Sequence, residues 1–241
     1  DDIILVSSSV SALQSMLVLC ASELDKIDMC INVKKTMCIR VGLRFKECCS
    51  ELLIGNQIVK WVQQVRYLGV YITAAKSFKV DLTVPKKNFF ISANSIFSKI
   101  DPHKADIVLP LIMSYCLPVL LYGMEGIKLN KTEVTRLAHP YTMIFHKVFG
   151  TYSNSVILQC QFFTGCLPLN YLLKLSQLRF ILSLKEKAKE SDMCKFLYDN
   201  FALNAFRQIA GDNSLLSVYD NKWCVKRKLW TEFSAAVSGI M

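Results

Sequence analysis

The sequence predicts an α+β chain. A small antiparallel sheet with one packed helix occupies residues 1–75, and residues 76–241 are all-α. Three observations carry this prediction. β-Branched apolar runs and a Gly-Asn turn signal fall before Ala75. Capped apolar stripes at helical spacing fill the chain after Val80. Nine Gly and six Pro among 241 residues leave few breaks, which favours helices and excludes collagen-like or linker-rich chains.

Ile3-Ile4-Leu5-Val6 is a run of β-formers and predicts a buried strand. Ser7-Ser8-Ser9 then offers a helix N-cap. Val10, Leu13, Leu17, Cys20, Leu24 and Ile27 follow at spacings of three and four, one apolar stripe on a helix of about five turns. Ile31 to Val41 reads as a turn and a strand. Leu52–Ile54 and Gln57–Val62 flank Gly55-Asn56 and read as a β-hairpin. Val65–Ile72 reads as one further strand.

Lys86–Ile100 predicts the next helix. Asp106–Tyr122 predicts another, strongly apolar and interrupted at Pro110 and Pro118. Asn130 and Glu133 have capping-box spacing and open a helix that Gly150 closes and Pro140 kinks. Leu167–Lys189 forms a fourth, with Pro168 in its first turn. Shorter helices cover 192–210 and 222–237.

Apolar residues make up 52% of the chain and charged residues 20%, so a core of ordinary size forms and wholesale disorder is excluded. The net charge of +10 favours an anionic partner. Residues 1–75 hold eight Lys/Arg against seven Asp/Glu, so the basic excess lies in residues 76–241. That asymmetry predicts weak, sequence-indifferent nucleic-acid binding through the second region. Ten cysteines lack any Cys-x-x-Cys spacing, and no signal peptide is visible. These features predict free thiols, an intracellular setting (nuclear or cytoplasmic) and no secretion. The first residue is Asp, which reads as a processed chain or a fragment.

Asp1-Asp2 stands directly ahead of the first apolar run. Paired carboxylates at a strand edge are what nucleotidyl transfer uses to hold divalent cations, once a third carboxylate joins them. A solvated acidic terminus is the plain alternative. Downstream come Asn32-Val33-Lys34-Lys35-Thr36 and then Tyr67-Leu68-Gly69-Val70. In this order the motifs resemble the latter half of the palm of a reverse transcriptase of non-LTR (LINE-type) retrotransposons. The match covers residues 1–73. The acids lack the family's preceding aromatic-Ala. Pro118 to Glu125 is similar to a Pro-x-x-x-Tyr-Gly-x-Glu segment that often follows the palm.

The resemblance implies a partial palm over residues 1–75 and a helical thumb and extension over 76–241. It implies RNA-directed DNA synthesis with Mg²⁺ in the intact parent, on an RNA template and a DNA primer. Asp1 and Asp2 would be catalytic metal ligands. Lys35 would protonate the leaving pyrophosphate, and Tyr67, Leu68 and Gly69 would lie at the primer. The plain readings are a solvated lysine and a core strand with a bulge. The fragment is expected to be inactive alone. The alternative function is a non-enzymatic helical nucleic-acid-binding or interaction protein derived from such an element.

Three further features were weighed. Ile107–Met124 is uncharged for eighteen residues, but its prolines and flanking charges favour a buried helix over a membrane span. His139 and His146 share a helical face without further ligands, so no zinc site is expected. Lys222-Trp223 and Lys226-Arg227-Lys228-Leu229-Trp230 mix cations with aromatics, which suits either a nucleic-acid surface or an amphipathic helix.

Overall fold

The computed structural model describes residues 2–202, 205 and 222–239. It is α+β, with two small three-stranded sheets followed by helices. The described residues fall into two compact units, one ending at Val84 and one beginning at Pro85. The division lies beyond the compositional break at Ala75 because a short strand, Lys79–Val80, still pairs within the first unit.

In the first unit, helix α1 (Val10–Asp25) begins where Ser9 caps it, its hydroxyl accepting from the Ala12 N–H at 3.2 Å. Strand β1 (Met37–Cys38) follows, then β2 (Leu52–Ile54) and β3 (Gln57–Trp61). Gly55, at φ 57°, makes the tight turn between β2 and β3 that a side chain would strain. The sheet order is β1-β3-β2, with β1 parallel to β3 and β2 antiparallel to it. Leu52 and Val59 are register partners on one face, both fully buried, and Leu17 of α1 completes their core. The Gln14 side chain of α1 also donates to the Leu53 carbonyl and accepts from the Leu53 N–H, each at 2.8 Å. It stands in for a neighbouring strand and satisfies the open edge of β2.

Three expectations need correction here. Residues 3–6 form no strand. They are irregular, and Ile3 and Val6 are 58% and 76% exposed. A strand needs a ladder partner as well as apolar side chains, and none of the described residues supplies one. Val65–Ile72 is likewise two strands, β4 (Gln64–Tyr67) and β5 (Val70–Thr73), folded back at Leu68-Gly69. Both turn residues have positive φ, 45° and 83°, the signature of a type I′ hairpin. With β6 (Lys79–Val80) these strands make a second sheet, so the single antiparallel sheet is replaced by two, one of them mixed.

Asp81 ties the second sheet to the next helix, α2 (Thr83–Phe97). Its carboxylate accepts from the Thr83 N–H at 2.8 Å and from the Gln64 amide at 2.9 Å. Partial burial opposes its ionisation, but these hydrogen bonds and the nearby Lys79 charge prevail and hold its pKa below the ordinary carboxylate value. Asp81→Ala should therefore cost about 1 kcal/mol at neutral pH, the size of a helix-capping contact. The carboxylate's contribution is present above the unfolded Asp pKa and disappears as pH falls through the lower folded one. Urea midpoints of the native chain and the variant should differ at neutral pH and converge as pH falls through the lowered folded pKa. A gap of constant size would show that the carboxylate contributes no ionic stability.

In the second unit, α3 (Ala105–Leu111), a π-helical turn at Ile112–Cys116 and α4 (Leu117–Leu121) replace one continuous helix. Pro110 and Pro118 each lack an N–H, and the irregular turn lies between them. Helix α5 (Lys131–Phe149) carries the expected capping box, with Asn130 and Glu133 exchanging two 2.9 Å hydrogen bonds, and ends at Gly150 in the left-handed region. Its buried residues Leu137, Tyr141, Ile144 and Val148 repeat at spacings of four, three and four. Helix α6 (Asn154–Phe163) is an addition that the sequence reading does not contain. Helix α7 (Leu169–Lys187), α8 (Asp192–Leu197) with a π-helical turn to Ala202, and α9 (Lys222–Ser238) complete the unit. The expected helix over 192–210 runs partly outside the described residues. No described helix is long and apolar enough to cross a membrane.

Candidate functional site

The segment Asn32–Thr36 is the most ordered of the candidate motifs. The Asn32 carbonyl accepts from the N–H groups of Lys35 at 3.1 Å and Thr36 at 3.0 Å, and from the Thr36 hydroxyl at 2.9 Å. The Asn32 side chain accepts a further, longer bond from the Lys35 N–H at 3.3 Å. One asparagine thus folds the segment into a turn, which only a short side chain bearing a carbonyl does well. The turn leads directly into β1 and leaves Lys34 and Lys35 exposed. Lys35 makes no ion pair with any described carboxylate.

Asp2 is exposed in the irregular segment before Ile3, and Asp1 lies outside the described residues. The two motifs share one anchor. Leu5, just after the acids, and Ile31, just before Asn32, both pack against the Leu17–Leu52–Val59 core. Among the described residues, no group of three or more His, Cys, Asp or Glu side chains converges to hold a metal ion.

Tyr67, Leu68 and Gly69 lie in the other sheet, at its hairpin end. Tyr67 is half-buried at the end of β4, while Leu68 and Gly69 form the exposed turn. The structure does not bring Lys35 and Tyr67 into one sheet. On the adjoining register pair, Arg66 lies over the Tyr71 ring, 5.9 Å from its centroid.

The Pro118–Glu125 segment has a plain structural basis. Pro118 sits in the first turn of α4, and Leu120 and Met124 are buried. Gly123, at φ 71°, reverses the chain after Tyr122 as a left-handed residue can, and a 3₁₀ turn at Met124–Gly126 follows. Of the basic-aromatic segment, Val225 and Leu229 are buried, and Trp230 stacks on Phe162 with centroids 5.8 Å apart. Trp230 is committed to packing, and Lys226 and Arg227 remain exposed.

Four of the ten thiols are held away from the reactive thiolate form. All ten cysteines are free. Burial pushes the thiols of Cys116, Cys160 and Cys166 up, and burial with the neighbouring Cys49 does so for Cys38. His146 turns Nδ1 to the Thr151 carbonyl, and His139 is exposed, so the two histidines serve different surroundings.

Sequence reasoning missed one cluster. Arg40, Arg44, Lys46 and Lys76 line two adjoining grooves around Phe45. Arg40, Arg44 and Lys46 lie within seven positions, and the fold brings Lys76 to them from 30 positions further on. No family model, no curated protein and no solved structure matches this chain.

Proposed function

We propose that the chain is the C-terminal palm and thumb portion of an RNA-directed DNA polymerase of the non-LTR retrotransposon type. The observation that carries this reading is the Asn32–Thr36 turn, which projects Lys35 from the entry to β1. Its support is positional. The acidic pair and this turn flank side chains that enter one small core. Ile3 and Ile4, beside the acids, are exposed apolar side chains of the kind a fuller palm sheet would cover.

In this reading the primer 3′-oxygen attacks the α-phosphorus of a nucleotide. The bond to pyrophosphate breaks, and Lys35 passes a proton to the departing oxygen. Mg²⁺ supplies charge neutralisation in the parent enzyme. Among the described residues no group of three or more ligands converges to hold it, and no step through the ion is assigned to them. Residues 1–241 should therefore fail to extend a primer by themselves.

A second reading, a non-enzymatic nucleic-acid-binding protein derived from such an element, is supported by the net charge of +10. Primer extension on an RNA template separates the two readings. The polymerase reading expects extension from a longer chain that includes the coding sequence upstream of Asp1. The binding-protein reading expects none from either chain.

A further inference from the structure

Net charge directs attention to the second part of the chain, yet four cations also gather in the first unit. Up to Val84 the sequence holds ten Lys/Arg against eight Asp/Glu, close to neutral. Four of those cations meet at one place. Arg44, Lys46 and Lys76 line an open groove of about 350 Å³ with Leu43, Phe45 and Glu47. Lys46, Phe45 and Glu47 are shared with a second groove of about 280 Å³, whose far wall includes Arg40 and Trp61. Glu47 is the one carboxylate on either lining, and none of the four cations is ion-paired with a described carboxylate.

The backbone holds this arrangement in place. The Gly42 N–H donates to the Ala75 carbonyl at 2.9 Å, which fixes the loop beside Lys76. Two successive tight turns, Phe45 N–H to Gly42 and Glu47 N–H to Arg44, both 3.1 Å, set the cations of the loop. Arg40 closes the far side, with Nη1 donating to the Glu47 carbonyl and the Cys49 sulfur. Trp61 Nε1 donates to the Ser50 carbonyl at 3.1 Å and pins the strand wall. The loop backbone, Arg40 and Trp61 are thus fixed before any ligand arrives, which lowers the ordering cost of binding.

We infer that these joined grooves bind a single-stranded nucleic acid, its phosphates on Arg44, Lys46, Lys76 and Arg40 and its bases against Phe45 and Trp61. Cations beside aromatic side chains in adjoining grooves are what a flexible polyanion with stackable rings requires. A lipid surface would favour a flat or convex patch, and an acidic peptide would leave the ring walls unused. The inference holds whether or not the parent is a polymerase, since it concerns binding by this chain alone.

The test is fluorescence anisotropy of the full 241-residue chain with a labelled oligothymidylate, over a salt series. The triple variant R44A/K46A/K76A removes three exposed cations. It should weaken binding at least about tenfold at low salt and flatten the log–log salt slope by about 2. Glu47→Gln should tighten binding, a gain that misfolding does not produce. The variant K128A/K131A/K189A, three exposed lysines of the second unit, should lose clearly less. Equal losses from the two triples would overturn the site in favour of diffuse charge attraction. Unchanged affinity in R44A/K46A/K76A, or no gain with Glu47→Gln, would also overturn it. So would displacement of the oligonucleotide by polyglutamate or anionic vesicles as readily as by unlabelled oligonucleotide.

Discussion

Leu52→Ala should unfold the first unit and leave the second folded. The described residues of the first unit bury few side chains fully, with Leu52 and Val59 wholly inaccessible and Leu17 and Val80 nearly so. Leu52 is at the centre of this group, packed against Val59 and the α1 stripe. Truncating a buried leucine costs about 2–5 kcal/mol, because the cavity adds to the lost transfer energy. A core this small has few neighbours to collapse into the gap, so the upper part of that range is expected. The second unit holds buried clusters around Leu178 and around Phe233, neither of which contains Leu52. Hydrogen exchange on the full chain should show amides of β2 and β3 losing protection while those of α5 and α7 keep theirs. Joint loss in both units would show that they unfold as one cooperative body.

The second large effect is chemical. In a chain long enough to extend primers, Lys35→Ala should slow the extension step by about 10²–10⁴-fold, the usual worth of a positioned proton donor. Lys35→Arg keeps the cation but not a readily released proton, since a guanidinium stays protonated, so it should recover little. Single-turnover extension rates are the measurement. Full activity in Lys35→Arg would reduce Lys35 to an electrostatic contact.

Short-range signals were legible in the sequence. Ser9, the Gly55-Asn56 turn, the Asn130–Glu133 box and Gly150 all act through residues within four positions, and each stands where its spacing put it. Pairing across longer distances was not legible. Ile3–Val6 has the composition of a strand, but composition does not supply a partner. At Leu68 an apolar residue continues the strand pattern while occupying a positive φ, so the hairpin was hidden behind a branched side chain. Gly69 is the available signal, since a glycine within a strand pattern marks a turn as well as a bulge. The parallel pairing of β1 with β3 spans a loop that no local rule predicts. Of the candidate site, the Asn32 turn followed from residue chemistry. The Arg40–Lys76 cluster did not, because Arg40, Arg44 and Lys46 are spaced apart without a run and the fold adds Lys76 from 30 positions further on.

The polymerase reading is tested most directly by primer extension with Mg²⁺ on an RNA template. The comparison is between residues 1–241, a longer chain carrying the upstream coding sequence, and that longer chain with Asp2→Ala. The account predicts no product from residues 1–241, product from the longer chain, and its loss on Asp2→Ala. Product from the longer chain that survives Asp2→Ala would contradict the role given to the acidic pair. No product from a folded, nucleic-acid-binding longer chain would contradict the polymerase reading itself.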